Sequence, residues 1–62
     1  MFIKLTAISG EIIWVNADKI MWIVPYRTKE HTNASIVDMG NECYTRVRES
    51  PDMIVKIIKG IG

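Results

Sequence analysis

One cysteine and one histidine are all that this 62-residue chain offers of two residue types that dominate zinc sites and nucleophile–base pairs. Cys43 has no intrachain disulfide partner, and a four-ligand zinc site cannot be assembled from Cys43 and His31. No apolar run approaches the roughly 20 residues needed to span a bilayer. The start "MFIKLTAISG" lacks the ordered charged region, long apolar region and cleavage site of a secretory leader. These absences predict no membrane insertion and a cytoplasmic location. Excess charge is missing too: eight Lys and Arg against seven Asp and Glu leave +1, so the whole chain exerts no general pull on nucleic acid.

What the chain does hold is apolar mass, 48% hydrophobic against 24% charged, which places it as a single globular domain over residues 1–62. A domain this small buries only about 60% of the surface its unfolded chain exposes, which leaves little margin from its own core. With a disulfide and a structural zinc excluded, association with a second copy is the remaining way to cover apolar surface.

Two segments rich in β-branched and aromatic residues, 1–8 (MFIKLTAI) and 11–15 (EIIWV), flank the turn signal Ser9-Gly10 and predict a hairpin. "NAD" at 16–18 predicts an Asx-type turn, because the Asn16 and Asp18 side chains can accept amide bonds just downstream. A linking strand is expected at 19–24 (KIMWIV), ending at Pro25, followed by a polar loop at 26–33 (YRTKEHTN). A second hairpin pairs 34–39 (ASIVDM) with 42–47 (ECYTRV) through Gly40-Asn41, a dipeptide suited to the positive φ of a two-residue turn. Finally Ser50 is a good N-cap, Pro51 fits the first helical position and Asp52 complements the helix dipole. Ile54, Ile57, Ile58 and Ile61 then share one face, and Gly60 is placed to end the helix in a left-handed conformation. The expected fold is α+β: a small antiparallel sheet, or a partly closed barrel of about five strands, made of two hairpins and a linking strand, with a short C-terminal helix.

Alternation divides each strand into faces. Ile3, Leu5 and Ala7 oppose Phe2, Lys4, Thr6 and Ile8; Ile13 and Val15 oppose Ile12 and Trp14; Ile20, Trp22 and Val24 oppose Met21 and Ile23. Both faces are apolar, and one short helix covers only one of them. Trp22 is therefore assigned to the core under the helix, while Phe2, Ile12, Trp14 and Met21 are assigned to an interface with a partner.

No enzyme signature stands out. Cys43 reads as a small buried hydrophobe in a strand, no motif pairs it with His31, and Asp18, Asp38 and Asp52 sit in turn, strand and cap contexts. No cofactor, metal or catalytic residue is assigned. Arg27, Lys29 and His31 in the polar loop, with Tyr44, Arg46 and Arg48 in the last strand, form a candidate set for RNA or a small anionic nucleotide. A solvated loop and ordinary outward-facing strand residues also account for them.

"IKLT" at 3–6, Gly10, "VNADKI" at 15–20, Gly40 with Tyr44 after it, and "VRESPDMIVKII" at 47–58 together resemble the FlbD family of small flagellar and swarming-motility proteins. The pattern spans nearly the whole chain: strand, Gly turn, strand ending in an Asn-Ala step, strand, Gly hairpin, then a Glu-Ser step opening a terminal amphipathic helix. Against that pattern, "PYRTKEHTN" is longer and more basic than the acidic turn common in the family, and "ECYTRV" replaces a Lys-rich strand. The resemblance implies a small non-enzymatic adaptor and no catalytic residues. Similar short proteins also occur in phages and mobile elements, where an adaptor or a ligand-sequestering role replaces motility. The opening "MFIKLT" shares its character with dimeric RNA-binding regulators of the carbon storage type, whose downstream pattern is not found here.

Overall fold

The structure, a computed structural model, describes residues 1–61, and the side chain of Ile61 lies outside the described part together with the expectation made for it. β1 (Phe2–Thr6) and β2 (Ile12–Asn16) form a two-stranded antiparallel sheet. β3 (Trp22–Tyr26), β4 (Ala34–Asp38) and β5 (Tyr44–Val47) form a second antiparallel sheet in the order β3-β4-β5, and α1 (Pro51–Ile61) follows. The α+β class is as expected. A closed barrel is not present among the described residues, because β2 and β3 share no ladder and the two sheets meet at one isolated bridge, Ala7 to Val47.

That seam is well tied. Ile8 donates its N–H to the Arg46 carbonyl at 3.1 Å and Arg48 donates to the Thr6 carbonyl at 2.8 Å. The Glu49 carboxylate accepts the Thr6 N–H at 2.9 and 3.1 Å, and the Arg48 guanidinium donates to the Ile8 carbonyl at 3.0 and 3.1 Å. β1 stops at Thr6 rather than at Ile8 because these amides turn from β2 toward β5. Gly10 makes the reversal with φ +102°, a backbone region that only glycine enters easily.

Three departures from expectation have local causes. Asn16 Oδ1 accepts the Asp18 N–H at 3.1 Å, so the Asx turn forms, but it continues as a 3-10 turn over Ala17–Lys19 instead of opening into strand. Alternation restarts after it. Ile20 and Ile23 face the core while Trp22, 65% exposed, and Val24 face solvent, so Trp22 is not a core residue. β3 also runs through Pro25, which an edge strand tolerates since one of its sides needs no ladder bond.

The second hairpin turn is longer than two residues. Gly40, Asn41 and Glu42 all take positive φ, at +83°, +53° and +63°, and the Met39 N–H closes onto the Cys43 carbonyl at 2.8 Å. β5 therefore begins at Tyr44, and Cys43 lies exposed in the turn rather than buried in a strand. At the helix, Ser50 Oγ accepts the Met53 N–H at 3.1 Å as an N-cap should, but α1 continues through Gly60 instead of ending there in a left-handed residue.

One core joins everything. Ile3 and Leu5 of β1, Val15 of β2, Val37 of β4, Val47 of β5 and Ile54 of α1 are buried, with Ile13, Ile20, Ile23, Ile57 and Ile58 packed around them. The helix stripe docks on the inward faces of both sheets, which leaves both outward faces uncovered.

Candidate functional site

Register decides which side chains share each outward face. On the two-stranded sheet the pairs Phe2–Asn16, Lys4–Trp14 and Thr6–Ile12 face away from buried Ile3, Leu5 and Val15. Phe2, Ile12 and Trp14 are 62%, 59% and 63% exposed there. Met21, grouped with them at the outset, is exposed but lies after the 3-10 turn with its thioether against Gly40. Three of the four candidate interface residues thus share a face, and the fourth belongs to the second hairpin.

On the three-stranded sheet, Trp22, Asp38 and Tyr44 form one outward row and Val24, Ile36 and Arg46 the next, while Ile23, Val37 and Val47 point into the core. Tyr26 ends β3 on the same outward side. The Arg46 guanidinium sits between two rings, with its central carbon 5.4 Å from the Tyr26 centroid and 5.4 Å from the Tyr44 centroid. A cation over an aromatic face is held by the ring quadrupole. Here it fixes a long flexible side chain with one charge presented beside two π surfaces. Trp22 and Tyr26 were missed as members of this cluster. Their signal was the alternation Trp22, Val24, Tyr26, hidden by treating Pro25 as the end of the strand.

The candidate anion contacts divide among three places. Tyr44 and Arg46 belong to the sheet face. Arg48 continues the same strand direction, with its guanidinium held on the Ile8 carbonyl, so it is in part a structural clamp. Arg27, Lys29 and His31 lie in the loop after β3, where the Thr28 hydroxyl accepts the His31 backbone N–H at 2.9 Å. Arg27 borders a shallow cleft of about 250 Å³ with Pro25, Thr32, Asn33 and Asp52, whose carboxylate makes the cleft mixed in charge.

No three His, Cys, Asp or Glu side chains gather where they could hold one metal ion among the described residues. No helix among them is long and apolar enough to cross a membrane. Fold and faces define a small α+β domain with two uncovered aromatic sheet surfaces, one carrying Lys4 beside Trp14 and one carrying a ring-held arginine. Searches against protein-family models, curated proteins and solved structures return no match for the chain.

Proposed function

We propose that this protein is a small non-enzymatic interaction module that associates with a second copy of itself through β2 and the outward face of the two-stranded sheet. The observation that carries this reading is Trp14, 63% exposed on one face with Phe2 and Ile12. Aromatic side chains bury about 150–250 Å² each when covered, so Phe2 and Trp14, with Ile12 beside them, offer a few hundred Å². A standard interface takes about 800 Å² from each partner, so more than the face must be engaged. The edge of β2 supplies it: among the described residues β2 pairs only with β1, and its Ile12–Asn16 carries no proline or charge. Edges of that kind recruit another strand unless something blocks them. β3, the outer edge of the other sheet, contains Pro25.

The resemblance to FlbD-like proteins fits an adaptor of this kind, in a bacterium or encoded by a phage acting in its host, working in the cytoplasm. Light-scattering mass across a concentration series tests the reading. A dimer or higher oligomer that becomes monomeric in Trp14→Lys while keeping its circular dichroism supports it; a wild-type monomer at every concentration sinks it.

A second reading, an oligomeric binder of RNA or a nucleotide, is favoured by one observation: the Arg46 guanidinium held between Tyr26 and Tyr44.

A further inference from the structure

We infer that the outward face of the three-stranded sheet is a stacking platform for a short single strand of RNA, which deepens the second reading and is independent of the first. Three aromatic side chains are presented on this face, Trp22 and Tyr26 from β3 and Tyr44 from β5. Trp22 is 65% and Tyr44 54% exposed. Strands lie about 4.8 Å apart, so Trp22 and Tyr44, separated by β4, stand roughly 10 Å from each other. That spacing suits separate bases of one strand better than a single ring.

The face has polarity. Arg46 follows Tyr44 along β5 and brings its guanidinium beside Tyr44 and Tyr26, where it matches phosphate in charge and in planar donor geometry. Asp38 lies between Trp22 and Tyr44 at the other end. One of its carboxylate oxygens accepts the Gly40 N–H at 2.8 Å, which holds it in place. A fixed carboxylate repels phosphate from that end and accepts an N–H from a base edge. Bases are thus directed to the Trp22–Asp38–Tyr44 row and the backbone to Arg46. An open face flanked by exposed rings fits a strand, whereas a free mononucleotide calls for an enclosed pocket.

A fluorescein-labelled mixed-sequence RNA decamer, titrated with the intact protein and followed by anisotropy, tests this. Binding is expected with a dissociation constant on the order of 10 µM, weakening roughly threefold between about 50 and 200 mM salt as the Arg46 phosphate contact is screened. Tyr44→Ala and Trp22→Ala, both at exposed positions, are each expected to weaken it about tenfold, the scale of one lost stacking contact. Arg46→Ala should weaken binding and flatten the salt dependence. Trp14→Ala should leave affinity for RNA unchanged, whatever it does to the oligomer, so failure here and failure of the self-association reading are told apart. The inference is overturned by no anisotropy change, by equal affinity for free GMP in competition, by full affinity in Tyr44→Ala and Trp22→Ala, or by loss of oligomer mass in those two variants, which would make the face a protein contact.

Discussion

Glu49 ties the joint between the sheets through both its carboxylate and its carbonyl. Its carboxylate takes the Thr6 N–H, an amide with no strand partner on that side, and its own carbonyl accepts the buried Ser35 hydroxyl at 2.8 Å. An amide left without an acceptor in a partly buried site costs about 1–3 kcal/mol. Glu49→Ala is therefore expected to lower unfolding stability by about that amount, and Glu49→Gln, which keeps one acceptor oxygen, by less. Ser35→Ala should cost about 1 kcal/mol by orphaning the Glu49 carbonyl. Urea unfolding of the three variants checks this; an unchanged midpoint for Glu49→Ala would show that water replaces the carboxylate and that the seam rests on its backbone bonds alone. The same residue scale explains why Arg48 is a poor choice for probing ligand binding: its guanidinium also closes the turn after β1, so its removal mixes two effects.

Among the elements, α1 is the one whose packing makes the clearest demand. Ile54 is 0% exposed at the centre of the core, and truncating a buried isoleucine costs about 2–5 kcal/mol, enough to leave so small a domain largely unfolded at 25 °C; a folded Ile54→Ala with wild-type Tm would mean the helix is not docked as described. Gly60 gives the opposite sign. It is helical, and an added Cβ meets nothing within 4 Å. Gly60→Ala should therefore stabilise by up to about 1 kcal/mol, whereas a left-handed Gly60 would make the same substitution destabilising. The helix start, the stripe at Ile54, Ile57 and Ile58, both hairpins and the inward residues Ile3, Leu5, Ile13 and Val15 are legible from spacing and caps, since local chemistry decides them. Trp22 was not legible. Its orientation depends on the 3-10 turn at Ala17–Lys19, which resets alternation, and on tolerance of Pro25 at an edge, which follows only from strand order. Cys43 was misplaced for a related reason, because three consecutive positive φ values lengthened a turn that Gly40-Asn41 alone would make in two residues.

For the whole molecule, the exposed aromatics are not a symptom of loose packing. The radius of gyration, 10.8 Å, matches the roughly 10.6 Å expected of a folded chain of this length. Three of the five aromatic side chains, Phe2, Trp14 and Trp22, are nevertheless more than 60% exposed, on two different sheets. A domain that fills its core with isoleucine, leucine and valine and sends its tryptophans outward gains little fold stability from them, so their stabilising effect should appear when a partner covers them. If a second copy covers Trp14, unfolding is coupled to dissociation, and mass action makes Tm rise with protein concentration. Differential scanning fluorimetry from about 5 to 500 µM should show that rise in the wild type, a flat Tm in Trp14→Lys, and an undiminished rise in Trp22→Lys, because Trp22 lies on the other sheet. A concentration-independent wild-type Tm would leave both tryptophans without a second copy to meet, and an abolished rise in Trp22→Lys alone would move the interface to the three-stranded sheet. The two faces differ in charge as well as in place, since only the latter carries a ring-held guanidinium. Salt should leave the Tm rise nearly unchanged, or raise it slightly by screening the Lys4 side chains of the two copies from each other, if apolar contact around Trp14 drives association.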